Sequence, residues 1–268
     1  MFNATSGRCI NVALDLGVFG ARSFSLGIEK LDVALLNIIS GKPDVIQLNP
    51  GGFKIFEKLS VMQPVSIVLR LDATNAYEPN SLERAWDIVN ENTLGDAEDP
   101  RIACVVLNLL NIDGDSSLQE QCIANIQLIG ALCRQREILL MVEPLVMTAM
   151  SGGNPTSIYD IDKIATLVRQ AVELGADFIK VDPTDPLERF NEIVEIASGI
   201  PVFVRGGGKV TPRELLERTK IVIESGAQGV VYGRNIVQHP TPAKYVQAIA
   251  AVVHENASVD DALLRLAK

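Results

Sequence analysis

Histidine is scarce in this sequence: His239 and His254 are the only two among 268 residues. Zinc hydrolases and zinc-dependent aldolases draw on more imidazole than that, so no metal site is expected. Positive charge is also short, with 24 Lys and Arg against 33 Asp and Glu and a formal net charge of −9. That argues against nucleic acid as a partner, because phosphate backbones need a basic face. A small anionic ligand needs only a few local donors and stays open. Long apolar runs are missing as well. Hydrophobic residues make up 47% of the chain, yet no run approaches the roughly 20 residues that span a bilayer. The stretch Met1 to Arg8 is polar, without a basic start, an apolar core and a small-residue cleavage site. No signal peptide and a cytoplasmic location are therefore expected. Cys9, Cys104, Cys122 and Cys133 form no Cys-x-x-Cys pair, and in a reducing compartment they read as buried small hydrophobes.

What is present is a repeat of short apolar runs, each followed by a longer amphipathic stretch. The runs lie at 12–16, 44–49, 66–71, 103–109, 138–144, 177–182, 201–206 and 229–233. Strands alternating with helices imply a parallel sheet, and eight repeats imply closure. The expected fold is an α/β (β/α)8 TIM barrel forming one domain over 1–268. Residues 161–174 carry Ile164, Val168 and Val172 at helical spacing. Residues 211–225 open with Thr211 as cap, Pro212 at the first helical position and Glu214 completing a capping box. Residues 90–101 read as a surface loop, and 148–157, rich in Gly and Ser, as a loop on the face where active sites form. The run 113–117 faintly resembles a calcium loop, but its glycine is misplaced and its twelfth position is Ala124. His239 reads as a helix-start residue. Glycosylation-like triplets at Asn3 and Asn256 carry no weight in the cytoplasm.

In such a barrel the functional side chains sit at the C-terminal strand ends. Those ends carry Asp15, Asn49, Arg70, Asp72, Asn108, Glu143, Lys180, Arg205 and Arg234. Alternation places Phe178, Lys180 and Asp182 on one strand face. A lysine desolvated inside a barrel has a lowered pKa and can form an imine with a carbonyl; the alternative is an ion pair with Asp182. Glu143, on the adjacent strand, could move the proton that C–C cleavage requires, or could serve only as a counter-ion. Asp15 could orient a substrate hydroxyl, share the proton work, or make a structural hydrogen bond.

Two glycine turns follow the seventh and eighth strands: Gly206, Gly207 and Gly208 after Arg205, and Gly233 before Arg234. Barrels bind phosphate there through loop amides and a short helix. Two glycine clusters on consecutive strands, each beside a basic residue, favour phosphate over plain tight turns. Arg70 is a second candidate for an anionic end of the substrate, and Arg205 and Asn49 complete the candidate substrate contacts.

Several segments together resemble the class I aldolases of the DeoC/FbaB/LacD group. They are Asp15-Leu16-Gly17-Val18, Gly175-Ala176-Asp177-Phe178-Ile179-Lys180, the run from Pro201 to Lys209, and the run from Gly226 to Ile236 with its Gly233-Arg234-Asn235. The resemblance implies a Schiff base on Lys180, phosphate held by the glycine turns with Arg234, no cofactor, a phosphorylated sugar as substrate and a homo-oligomer. Three positions depart from the group. Glu143 stands before Pro144 where archaeal fructose-bisphosphate members carry tyrosine, as in tagatose-bisphosphate and sulfofructose-phosphate aldolases. Arg205 replaces a common serine, and Leu16 the usual histidine. A branch of the group uses the same lysine for thiolase-like acetyl transfer to coenzyme A, and a non-catalytic sugar-phosphate-binding barrel is a third possibility.

Overall fold

The structure, a computed structural model, describes residues 1–19, 22–59, 65–74, 91–112, 116–148 and 156–267. Eight parallel strands close into a barrel. They are β1 (Cys9–Ala13), β2 (Val45–Leu48), β3 (Ser66–Arg70), β4 (Ile102–Ile112), β5 (Leu140–Thr148), β7 (Phe178–Val181), β8 (Val202–Arg205) and β9 (Gly229–Tyr232). Each pairs in parallel with its neighbours, and β9 returns to β1 with Cys9 opposite Gly229. A two-residue strand, β6 (Thr156–Ser157), folds back antiparallel on the end of β5.

Each strand carries two apolar faces because both are covered. The inward series contains Cys9, Ala13, Val45, Val68, Cys104, Val106, Met141, Phe178, Phe203 and Val231. Outward residues such as Ile10, Val12, Ile46, Leu69 and Val204 pack under the helical ring. Phe2 closes the lower end, its ring centroid 5.9 Å from those of both Phe178 and Phe203. All four cysteines are buried and unpaired, and burial raises the thiol pKa of Cys133 to about 11.

Local signals account for the helices. One helix runs from Ile161 to Glu173, with Asp160 accepting from the amides of Asp162 and Lys163. Another runs from Pro212 to Glu224, closed by the reciprocal Thr211–Glu214 box. No helix of the described residues is long and apolar enough to cross a membrane.

Three differences from the sequence reading have physical causes. Residues Glu91–Glu98 form a 3-10 helix rather than a loose loop. Leu94 and Ala97, three apart and therefore eclipsed at that pitch, bury against the outer core. Strands β4 and β5 run past the barrel rim, pairing as far as Ile112 with Met147, because their extensions remain apolar and find cover. The first strand starts at Cys9, earlier than its apolar run suggested, since Asn11 is buried inside the barrel. Residues 113–115 of the calcium-like run and 149–155 of the glycine-rich loop lie outside the described residues.

Gly229 is where the barrel closes most tightly. A Cβ there would stand 2.2 Å from the carbonyl oxygen of Cys9 and 3.0 Å from the Phe203 ring. Gly229→Ala should therefore cost about 3 kcal/mol, the upper part of the overpacking range, as measured by urea unfolding. A loss under about 1 kcal/mol would show that this seam gives way easily.

Candidate active site

The inward alternation of each strand delivers polar side chains to the upper mouth. Beyond Ala13 on β1 comes Asp15, and beyond Val45 on β2 comes Gln47. Arg70 ends β3, Glu143 lies on β5, Lys180 on β7 and Arg205 on β8. All but Arg205 are fully or almost fully buried, and Arg205 is partly open.

These groups form one connected network. Lys180 Nζ donates to Glu143 Oε2 at 2.9 Å and lies 3.4 Å from Gln47 Oε1. Gln47 Nε2 donates to Asp15 Oδ2 at 2.7 Å. Arg70 bonds Asp15 through Nε, Asp72 through Nη1 and Glu143 through Nη2. Asp72 in turn accepts from the amide and side chain of Asn108. Arg205 Nε sits 3.3 Å from Asp182 Oδ1 and 3.6 Å from Glu143 Oε1.

The electrostatics follow from that wiring. Burial alone would raise the Glu143 carboxyl, but Lys180, Arg70 and Arg205 outweigh it and hold the group well below the usual carboxylate range. Burial lowers the Lys180 ammonium; Glu143 opposes this and Arg70 reinforces it. Burial raises Asp72 and Asp182 above ordinary carboxylates, against the pull of Arg70 and Arg205 respectively. Lys180 is thus the buried cation with a depressed pKa, beside a carboxylate that stays ionised.

The cavity at this mouth is lined by Asp15, Glu143, Lys180 and Arg205 together with Gly206, Gly207, Gly233, Arg234 and Asn235. Arg234 is braced by the Phe24 ring, 4.2 Å from its guanidinium carbon. Leu16, Phe19 and Phe24, from the two 3-10 turns that follow β1, form the remaining wall. Gly208 lies just outside the lining; its amide donates to the Tyr159 hydroxyl and its carbonyl accepts from Asn235. Among the described residues no group of three or more His, Cys, Asp or Glu side chains is arranged to hold a metal ion.

Over residues 9–239 the chain matches the model of the DeoC/LacD family aldolases. It is 32% identical to a protein of Saccharolobus solfataricus named as an uncharacterised aldolase, across 96% of this chain and 93% of that one. This chain belongs to the DeoC/LacD aldolase family. It is also 28% identical to 3-hydroxy-5-phosphonooxypentane-2,4-dione thiolase of Shigella flexneri, across 98% of this chain and 94% of the relative. A solved Schiff-base-forming fructose-1,6-bisphosphate aldolase shares the fold, with a TM-score of 0.73 and 24% identity over 93% of this chain and 96% of that one.

In this DeoC/LacD barrel the expected residues do not all play the expected parts. Arg70 has a fully enclosed side chain and is occupied by three carboxylates, so it organises the site from below and offers no contact to a substrate anion. Asn49 is turned to the following helix, where its Oδ1 caps the amide of Gly52. Lys180 pairs with Glu143, and Asp182 pairs with Arg205. Gln47, two residues before Asn49 and on the same strand face, is the polar residue that reaches Lys180 and Asp15. It could have been found as the polar residue of the run Val45–Leu48. Phe19, Phe24 and Tyr159 left no comparable signal, because an aromatic in a loop reads as ordinary packing.

Removing Arg70 should expose how much the network depends on it. Arg70→Leu leaves Asp15, Asp72 and Glu143 with a buried charge unmatched and should cost about 3–5 kcal/mol in chemical denaturation. Asn49→Ala, which removes a helix cap, should cost about 1 kcal/mol. Equal losses in the two variants would refute the assignment of Arg70 as the hub.

Proposed function

We propose that this protein is a class I aldolase that cleaves or forms a phosphorylated ketose through an imine on Lys180, yielding dihydroxyacetone phosphate and an aldehyde. The observation that carries the proposal is the position of Lys180: a buried amine of lowered pKa, in hydrogen-bond contact with Glu143 and lining a cavity that two glycine turns and Arg234 also line. The chemistry of the family and of its Schiff-base-forming structural neighbour supports it.

The phosphate of the substrate would lie against the backbone of Gly206, Gly207 and Gly233, with Arg234 supplying charge-assisted bonds. The absence of side chains lets the backbone come close. That places the ketone over Lys180. The neutral amine attacks, and loss of water with uptake of one proton from solvent gives a protonated imine. Electrons of the C–C bond next to the imine-bearing fragment then flow to the imine nitrogen, forming an enamine, as the departing hydroxyl becomes an aldehyde. Its proton needs an acceptor. Glu143 is ionised and adjacent, and its basicity is held down by the cations around it. As the iminium charge disappears into the enamine, one of those cations is lost and Glu143 becomes a better base at the moment the proton arrives. Asp15, held by Gln47 and Arg70, would orient the hydroxyl.

A second assignment, thiolase-like acyl transfer to coenzyme A on the same lysine, is favoured by the full-length match to the thiolase relative. Turnover that requires coenzyme A distinguishes it.

Lys180→Ala should abolish both turnover and borohydride-dependent covalent labelling by a ketose phosphate or dihydroxyacetone phosphate. Glu143→Ala should keep the labelling but lose cleavage by about two to four powers of ten. Labelling that survives in Lys180→Ala means that another lysine is the nucleophile. Imine formation needs the neutral amine, so labelling should rise with pH through a midpoint below the ordinary lysine value of about 10.4. Glu143→Gln removes the larger of the two anions that raise the Lys180 pKa, so its midpoint should move to lower pH. Arg234→Ala should raise KM for a phosphorylated substrate strongly, and an unchanged KM would place the phosphate elsewhere.

A further inference from the structure

We propose that Arg218 and Tyr159 are positioning residues of the phosphate site: they clamp the turn Gly206–Gly208 from outside the cavity and aim the amide of Gly207 at the substrate phosphate. The proposal rests on the aldolase reading above and deepens its account of phosphate binding.

Among the described residues four side chains bond to this turn. Arg218, from the helix Pro212–Glu224, donates Nη1 to the Gly206 carbonyl at 2.8 Å. Arg234 Nη2 lies 3.4 Å from the Gly207 carbonyl, and Asn235 Nδ2 donates to the Gly208 carbonyl at 3.2 Å. The Tyr159 hydroxyl accepts from the Gly208 amide at 3.2 Å. Arg234 and Asn235 line the cavity, whereas Arg218 and Tyr159 stand outside its lining. The turn fits closely between them. Gly207 has a φ of +61°, and a Cβ there would come within 2.9 Å of the Tyr159 hydroxyl oxygen and 3.3 Å of Arg218 Nη1. Glycine is required by that close approach as well as by the left-handed backbone.

Peptide geometry then sets what an anion meets. In a planar trans peptide the carbonyl and the following N–H point in opposite directions. With the Gly206 carbonyl turned out to Arg218, the Gly207 amide is turned the other way, into the cavity that Gly206 and Gly207 line. The next peptide lies crosswise: its carbonyl faces Arg234 and its amide faces Tyr159. Burial and Asp182 raise the Tyr159 hydroxyl above an ordinary phenol, so it stays a neutral acceptor for that amide. The turn thus offers an anion the Gly207 amide and commits that of Gly208 to Tyr159. Arg218 is a cation bound to the far end of the peptide that carries the Gly207 N–H, so it polarises that donor as well as aiming it. Removing Arg218 frees the peptide to flip and present a carbonyl oxygen to the phosphate in place of an amide.

The test compares borohydride trapping by dihydroxyacetone phosphate with trapping by dihydroxyacetone, which lacks the phosphate. Intact mass gives the concentration at half-maximal labelling for each ketone. In Arg218→Met this concentration should rise at least about ten-fold for dihydroxyacetone phosphate, the loss expected of a hydrogen bond to a charged group. It should stay unchanged for dihydroxyacetone, and labelling at saturation should stay complete. Arg218→Lys, which keeps the cation, should recover part of the loss. Tyr159→Phe should shift the phosphorylated ketone in the same direction. Arg213→Met, on the same helix but exposed and paired with Asp260, should shift neither. No labelling of the wild-type chain by either ketone overturns the aldolase reading and this proposal with it. Wild-type labelling without preference for the phosphorylated ketone overturns the proposal alone. So does an Arg218→Met chain that shifts both ketones equally or neither. Should Arg218→Met fail to fold, Tyr159→Phe decides: an unchanged preference for the phosphorylated ketone overturns the clamp.

Discussion

The upper barrel depends on one constraint: several charges share a space from which water is almost wholly excluded. Arg70 has no contact with solvent, and Lys180 and Glu143 have almost none. In that setting an unmatched charge is expensive, so each must be neutralised by a neighbour held at bonding distance. Arg70 meets the requirement by reaching three carboxylates drawn from the ends or flanks of three strands. The positions of Asp15, Asp72 and Glu143 are therefore fixed jointly. The orientation of Glu143 toward Lys180 is a consequence of its bond to Arg70 as much as of its own backbone.

The same constraint sets the reactivity of the site. Burial lowers the Lys180 ammonium, with Arg70 and Arg205 on its side and the two anions Glu143 and Asp15 against it. Glu143 experiences the reverse, with three cations overriding its burial. A proton exchanged between the two would alter the charge on both partners at once. An isolated buried lysine would also have a lowered pKa but would have no carboxylate beside it to accept a proton. An exposed lysine–glutamate pair would be screened and would leave both groups near their ordinary values.

How much of this was legible in the sequence depended on whether a signal was local. The eight strands announced themselves because each is a short apolar run between amphipathic stretches. The Thr211-Pro212 start with Glu214 marked its helix to the residue, since a capping box is written within four positions. Lys180 and Glu143 stood out as charges within apolar strand runs, Lys180 sharing its face with Asp182. Arg70 looked the same from the sequence, and its different position could not be read, because whether a strand-end arginine faces the cavity or lies beneath it depends on the height at which neighbouring strands end. Asn49 and Gln47 share a strand face, and only the turn into the following helix, with Asn49 bonding Gly52, decides that Gln47 enters the network. The 3-10 helix Glu91–Glu98 was hidden by its polar composition, with Leu94 and Ala97 too few to register as a period.

The pairing of β1 with β9 joins the two most distant strands of the barrel, with Cys9 against Gly229 and Val12 against Tyr232. Asp15 follows the first of these strands, and Gly233 and Arg234 follow the last. Asp15 and the second glycine turn are thus brought together by the strand pairing of longest sequence separation in the barrel. Such contacts carry the greatest loop-closure entropy and form late. A chain that has paired β2 through β9 but not yet joined β9 to β1 would hold Lys180, Glu143 and both glycine turns along one open sheet, with Asp15 left at its opposite edge. The cavity would then acquire its full ring of walls with closure and not before it.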